Sequence, residues 1–147
     1  MHVLIADDDA VYRTFLQNLL RKWRYDVTVT CDGGEAWRAI QEKPQINVAI
    51  LDWTMPEING YEVCRKIKND LVGRDIYTIL ITGSGLKSDM IKVLVAGADD
   101  YIIKPFDPLD LKIRLRAAIR IIHLEEEAAE LRSSLQKLTK LSSAMNM

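Results

Sequence analysis

The sequence NVAIL at residues 47–51 is a short apolar run followed directly by an acid, Asp52, and its pattern recurs along the chain. Similar runs, rich in β-branched residues, occur at 2–6, 26–30, 76–81 and 100–103. Strands this short that are apolar on both faces are typical of a parallel sheet covered by helices on both sides. These runs therefore predict five strands buried inside an α/β domain.

Longer segments with a 3.6-residue period separate the apolar runs, as expected for amphipathic helices. Five alternations of strand and helix within about 120 residues predict a doubly wound, five-stranded parallel sheet. The strand order 2-1-3-4-5, that of the flavodoxin-like fold, is the commoner arrangement at this size. The predicted helices cover 9–22, 33–42, 60–70, 87–96 and the chain from residue 108 onward.

Composition and charge limit the classes of function. The chain has 147 residues, 48% hydrophobic and 28% charged, which suits one packed domain with a modest appendage. Its 20 basic and 21 acidic residues give no electrostatic footprint for nucleic acid. No apolar run approaches the roughly 20 residues needed to span a bilayer. We therefore expect a cytoplasmic protein whose partners include neither nucleic acid nor membrane.

Polar side chains follow four of the five predicted strands. Asp7 and Asp8 follow the first strand, Asp52 the third, Thr82 the fourth and Lys104 the fifth. In a doubly wound sheet, ligands bind outside the carboxyl ends of the strands. Clustered carboxylates suit Mg²⁺, while a hydroxyl and an ammonium can clamp a phosphoryl group. The constellation predicts a Mg²⁺-dependent site that transfers a phosphoryl group onto Asp52 as nucleophile.

Four motifs occur in order: DDD at 7–9, LDWTMPEINGYE at 51–62, ITGSG at 81–85 and GADDYIIKPFD at 97–107. Together they resemble the receiver domain of two-component response regulators, over roughly residues 1–122. The resemblance implies a phosphorylation-controlled switch and not an enzyme acting on a separate substrate. It also implies a cognate histidine kinase or phosphotransfer protein as partner.

The resemblance implies specific roles for the acidic residues. Asp52 would be the phosphoacceptor, and Asp8 would ligate Mg²⁺ directly. Asp7 would act largely through metal-bound water, and the backbone carbonyl of Thr54 would complete the protein ligands. Mg²⁺ is the one cofactor implied.

The resemblance also implies how a bound phosphoryl group is held and sensed. Thr82 would bind the group, Lys104 would pair with it, and Tyr101 would be an aromatic switch. A cis peptide bond is expected between Lys104 and Pro105. Gly83 departs from the family pattern, where alanine is more usual, which loosens the loop while keeping its backbone donor.

The chain after Leu109 contains no glycine or proline, which predicts one long helix that continues past the domain. Its apolar residues repeat every three and four positions, as in a coiled coil, and opposite charges flank the seam of a parallel homodimer. An exposed helix that frays and a helix folded back on its own domain are the alternatives. The a positions are Ile121, Ala128 and Leu135, and the d positions are Leu124, Leu131 and Leu138.

We expect residues 1–122 to form the receiver domain and residues 123–147 to form a coiled-coil linker. A continuous last helix of this kind resembles response regulators whose linker leads to a GGDEF (diguanylate cyclase) output domain. The 147 residues contain no GGDEF sequence. The chain is therefore predicted to be a receiver-plus-linker fragment or a stand-alone phospho-switch adaptor.

A Mg²⁺-dependent phosphatase of the haloacid-dehalogenase type is an alternative, because it also forms an aspartyl phosphate. Its nucleophile would lie in a D-x-D motif after the first strand, which Asp7-x-Asp9 superficially fits. That interpretation does not explain why Asp52 and Lys104 also lie at strand ends beside the same site. A flavin site is disfavoured because no Ser/Thr/Gly-rich loop follows the first strand.

Overall fold

The structure, a computed structural model, describes residues 1–71, 74–83 and 85–146. Strands and helices alternate along the chain. The strands are β1 (His2–Ala6), β2 (Asp26–Thr30), β3 (Ile46–Asp52), β4 (Tyr77–Thr82) and β5 (Asp100–Ile103). The helices are α1 (Ala10–Lys22), α2 (Gly33–Glu42), α3 (Gly60–Asp70), α4 (Lys87–Ala96) and α5 (Pro108–Met145).

The five strands form one parallel sheet in the order β2-β1-β3-β4-β5, which confirms the predicted fold. Strand β3 is one residue longer at each end than predicted, and β4 is shifted by one residue. Helix α1 begins at Ala10, one residue later than predicted, because Asp9 is its N-cap. The Asp9 carboxylate accepts a 2.9 Å hydrogen bond from the backbone N–H of Val11.

Each face of the sheet carries its own layer of buried apolar side chains. Helices α1 and α5 cover one face through residues such as Leu16, Leu20, Leu111 and Leu115. Helices α2, α3 and α4 cover the other face, with Ile67 of α3 among the buried residues. Because the sheet is packed on both sides, the residues at its carboxyl ends are held on a rigid frame.

Helix α5 extends well beyond the sheet. It has 38 residues and is about 57 Å long at 1.5 Å per residue. Its first half packs on the sheet, and Ile122 still contacts the core. The helix is continuous to Met145 and does not fold back on the domain, which excludes that alternative. The large apolar side chains exposed beyond this point are Leu124, Leu131, Leu135, Leu138, Leu141 and Met145.

None of the described helices combines the length and the apolar composition that a bilayer crossing requires.

Candidate functional site

The carboxyl ends of four strands bring the predicted site residues to one rim of the sheet. Asp7 follows β1, Asp52 ends β3, Thr82 ends β4 and Lys104 follows β5. The backbone N–H of Lys104 donates a 2.7 Å hydrogen bond to the carbonyl of Thr82, which fixes the end of β5 against the end of β4. The predicted convergence of these residues is therefore present.

Three carboxylates lie together at this rim. Asp7, Asp8 and Asp52 each offer an oxygen, and these oxygens lie within 4.8 Å of one another. Asp7 and Asp52 are buried, whereas Asp8 is exposed. The Asp7 carboxylate accepts a 2.9 Å hydrogen bond from the backbone N–H of Asp9, and its carbonyl accepts one of 2.9 Å from the Arg13 guanidinium. The position of Asp7 is thus fixed by α1.

The ammonium of Lys104 bridges the two buried carboxylates. Its Nζ lies 3.2 Å from Oδ2 of Asp7 and 3.4 Å from Oδ1 of Asp52. Burial by itself lowers the pKa of Lys104, but attraction to Asp52 and Asp7 outweighs burial and leaves that pKa raised. Lys104 therefore stays charged and offsets one of the three negative charges.

Asp52 is the most perturbed acid of the site. Burial, reinforced by the charge of Asp7, raises the pKa of Asp52 to about 6, although Lys104 acts in the opposite direction. The raised pKa thus reflects mainly the burial of the Asp52 carboxylate and, after that, its proximity to Asp7. A carboxyl group perturbed in this way, at a strand end, is a common mark of a functional site.

The donor set fits a hard divalent cation. Three carboxylates and one ammonium leave two uncompensated negative charges. Mg²⁺ prefers oxygen ligands, uses few carboxylates and keeps several of its waters. The exposure of Asp8 leaves the cluster open to those waters. Asp7, Asp8 and Asp52 therefore have the chemistry and the spacing of a Mg²⁺ site.

The remaining predicted residues surround this cluster. The side chain of Thr82 is buried at the end of β4. Tyr101 is half-buried in β5 and packs against the core layer on the α2, α3 and α4 face. Thr54 lies two residues beyond Asp52, and its side chain is exposed.

The two loops after β4 and β5 agree with the sequence-based expectations where they are described. A Cβ built at Gly83 would meet no atom within 4 Å, so the loop has room for the alanine that the family more often has there. The peptide bond between Lys104 and Pro105 is cis. Ser84 lies outside the described residues.

Tyr12 was not predicted from the sequence to be part of the site, yet its ring lies against the ammonium group of Lys104. The Nζ of Lys104 lies 4.0 Å from the ring centroid of Tyr12. The same ring contacts Phe15 and Phe106, with centroids 6.2 and 6.3 Å away. The sequence held no signal for this contact, because it depends on the tertiary distance between α1 and the residue that follows β5.

Gly60 has a steric role that the sequence did not reveal. The pair Asn59-Gly60 predicts a turn into α3, and α3 does begin at Gly60. In addition, a Cβ at Gly60 would collide with the backbone carbonyl of Asp52, and the Gly60 N–H donates a 3.0 Å hydrogen bond to the carbonyl of Trp53. The start of α3 is therefore packed directly against the backbone that carries Asp52.

Comparison with known proteins identifies the family. The family model for the response regulator receiver domain matches residues 3–116. The chain is 35% identical over 120 residues to chemotaxis protein CheY1 of Helicobacter pylori, which is 81% of this chain and 97% of that protein. The chain therefore belongs to the receiver domain family of two-component response regulators, and the resemblance seen in the sequence is confirmed.

Solved structures agree with this assignment. The receiver domain of a Pseudomonas aeruginosa PAO1 sensor histidine kinase, with a magnesium ion coordinated in its active site cleft, is 30% identical at a TM-score of 0.73 and covers 80% of this chain and 96% of its own. A probable two-component system response regulator/GGDEF domain protein is 26% identical at a TM-score of 0.78, covering 84% of this chain and 50% of its own. Receiver domains are signalling modules, and phosphorylation and Mg²⁺ are general in the family.

We predict that Gly60→Ala lowers the free energy of unfolding by about 1–3 kcal/mol, because the added methyl group meets backbone that cannot turn away. Gly83→Ala is the matched control and should be neutral or stabilising by up to about 1 kcal/mol, since the site is open. Urea unfolding followed by circular dichroism measures both. Equal stability of the two variants would contradict the close packing of α3 against Asp52.

Proposed function

We propose that the chain is a phosphorylation-controlled switch in which Asp52 is the phosphoacceptor. The observation that carries this proposal is the pairing of Asp52, buried beside Asp7, with the Lys104 ammonium 3.4 Å away. A carboxylate oxygen of Asp52 attacks the phosphorus of the donor. The bond from phosphorus to the donor breaks, and the donor leaves with the bonding electrons. An acyl phosphate on Asp52 results.

Asp7, Asp8, Asp52 and the backbone carbonyl of Thr54 would hold Mg²⁺ in this proposal. The ion would supply two positive charges that offset the acids and the charge that develops on the transferred oxygens. The proximity of the three carboxylates and their uncompensated charge support this ligand set.

Lys104 and Thr82 would hold the phosphoryl group once it is on Asp52. Phosphorylation adds a charge of roughly −2. Lys104 already lies between Asp7 and Asp52, so its ammonium needs only a short movement to pair with the new oxygens. The buried hydroxyl of Thr82 ends the neighbouring strand and would donate to the same group after an inward movement of the loop that follows β4.

Tyr101 would convert this movement into a change of surface. Inward movement of Thr82 vacates space beside β5, and the half-buried ring of Tyr101 lies on that strand against the core layer that includes Val93 of α4. Occupation of that space by Tyr101 repacks the surface formed by α4 and β5. The change is a shift between two populations, so a stable phosphoryl mimic should also produce it.

The phosphatase alternative has less support than the switch. Asp9, the second acid of the D-x-D motif, caps α1 through its hydrogen bond from Val11. The chain also belongs to a family of signalling modules. We infer that its phosphodonor is a histidine kinase or a phosphotransfer protein.

The exposed part of α5 would form a parallel coiled coil with a second copy of the chain. The d-position leucines Leu124, Leu131 and Leu138 are between 55% and 66% exposed, so their apolar surface is available to a partner. In the parallel register the g residues Arg120 and Glu127 face the e residues Glu125 and Arg132, and both cross-pairs are attractive. An output domain of the GGDEF class, attached after residue 147, would be controlled through this helix.

We expect acetyl phosphate to add one phosphoryl group to the wild-type protein in the presence of Mg²⁺ and none to Asp52→Asn, because Asp52 is the proposed nucleophile and an amide cannot take its place. Intact-mass spectrometry measures the labelling. Asp8→Ala, or removal of Mg²⁺ with a chelator, should suppress it. Equal labelling of wild type and Asp52→Asn would contradict the assignment of Asp52.

Beryllofluoride should change amide hydrogen exchange across residues 82–104 if Thr82 and Tyr101 link the site to the surface. Mass spectrometry with and without the mimic gives the map, and Asp52→Asn serves as the unresponsive control. Changes confined to residues 52–56 would mean that the site binds the mimic without switching.

The full chain should sediment as a dimer that is weakened by Leu131→Lys combined with Leu138→Lys, because well-buried leucines contribute roughly 1.5–3 kcal/mol each. Glu126→Lys combined with Ser133→Lys places two lysines at outward f positions and is the matched control. Sedimentation equilibrium compares the three proteins. If the leucine variant dimerised as tightly as the wild type, the dimer contact would not lie along the predicted coiled coil.

A further inference from the structure

The contact between Tyr12 and Lys104 is the closest of the cation–aromatic contacts among the described residues. Nζ of Lys104 lies 4.0 Å from the ring centroid, whereas the other three such pairs are separated by 5.8–5.9 Å. The pair also differs in setting, because the Lys104 side chain is only 19% exposed. Cation–π attraction strengthens as the cation loses its water.

The backbone around Tyr12 fixes the position of its ring. Tyr12 lies in the first turn of α1, whose N-cap is Asp9. The next residue, Arg13, donates a 2.9 Å hydrogen bond to the carbonyl of Asp7 and so ties this turn to the end of β1. The turn that carries the ring is therefore anchored to the same strand end that carries the acids.

Two phenylalanines support the ring from the side. The centroids of Phe15 and Phe106 lie 6.1 Å apart, and each lies within 6.3 Å of the centroid of Tyr12. Phe106 follows Lys104 by two residues and belongs to the loop between β5 and α5. Three aromatic rings thus form a wall, which we call the aromatic wall, on one side of the Lys104 ammonium.

The Lys104 ammonium has two kinds of partner. Carboxylate oxygens of Asp7 and Asp52 lie 3.2 and 3.4 Å from Nζ. The ring of Tyr12 presents its negative face at 4.0 Å and takes the place of water there. With the acids and the ring around it, the ammonium is confined to the space beside Asp52.

We propose that Tyr12 is a positioning residue, which acts through Lys104 and holds its ammonium beside the phosphoacceptor. This inference rests on the proposed role of Asp52. Tyr12 itself makes no bond to the phosphoryl group. Its ring lowers the number of conformations open to the Lys104 side chain and excludes water from its far side, so a phosphorylated Asp52 meets an ammonium already in place.

The hydroxyl of Tyr12 is not needed for this role, since the ring face makes the contact. Replacement of the ring by an aliphatic side chain removes the attraction, which corresponds to roughly a 2- to 30-fold change in an equilibrium constant. We therefore expect Tyr12→Leu to weaken beryllofluoride binding by about that factor and Tyr12→Phe to retain the wild-type value. Phe15→Leu is the matched control, because it removes a ring of the aromatic wall that is not among the cation–aromatic pairs of the described residues.

The experiment measures beryllofluoride affinity in the presence of Mg²⁺ through the fluorescence of Trp53, which adjoins Asp52, after Trp23 and Trp37 are replaced by Phe. A second readout needs no phosphoryl mimic. The NMR resonances of the Lys104 ε-methylene protons should be shifted upfield by the ring in wild type and Tyr12→Phe, and should return to ordinary values in Tyr12→Leu.

The proposal holds if Tyr12→Leu is the one variant of the three that loses both beryllofluoride affinity and the upfield shift of the Lys104 ε-methylene protons. A change of less than twofold in the affinity of Tyr12→Leu would overturn it, as would equal losses in Phe15→Leu. Absence of the upfield shift in wild type would show that the contact does not exist in solution. Failure of the proposed phosphoacceptor is distinguishable, since wild type would then bind no beryllofluoride and show no Asp52-dependent labelling.

Discussion

The repulsion among three carboxylates held at one rim of the sheet is the constraint on which the site depends. Asp7, Asp8 and Asp52 lie close enough to share a cation, and two of them are buried. One ammonium, that of Lys104, balances a third of this charge. Burial, and after it the charge of Asp7, raises the pKa of Asp52. A site with this imbalance favours the binding of a cation, and it responds strongly when a phosphoryl group adds negative charge and moves it away from the Asp52 carboxylate.

The fold keeps these negatively charged side chains close together because the backbone around them is fixed and they cannot move apart. Asp52 ends a strand that is buried on both faces, and the close packing of Gly60 against its carbonyl leaves it little freedom. Asp7 is held through bonds to the first turn of α1. In solution the same three acids on flexible chains would move apart. Core packing therefore supplies the free energy that keeps the charges together.

Residues placed at strand ends could be predicted from sequence, because a parallel sheet aligns those ends whatever the details of packing. Asp52, Thr82 and Lys104 were found in this way. The contact of Tyr12 with Lys104 could not be predicted, because β1 and β5 are separated in the sheet by two strands and the contact depends on how far a lysine reaches across them. The close approach of Gly60 to the carbonyl of Asp52 also depends on tertiary structure and could not be predicted, although the turn at Asn59-Gly60 could.

The chain offers a short covalent path from the site to the tail. Lys104 pairs with the acids, Phe106 belongs to the aromatic wall, and Asp107 caps the first turn of α5. In the proposed switch, a movement of Lys104 would therefore act within three residues of the start of a helix of 38 residues. Because that helix is continuous, a change in the orientation of its first turn would be carried along its axis to the exposed leucines. Helix α5 would in this way couple the charge at one end of the domain to the apolar surface beyond the other end.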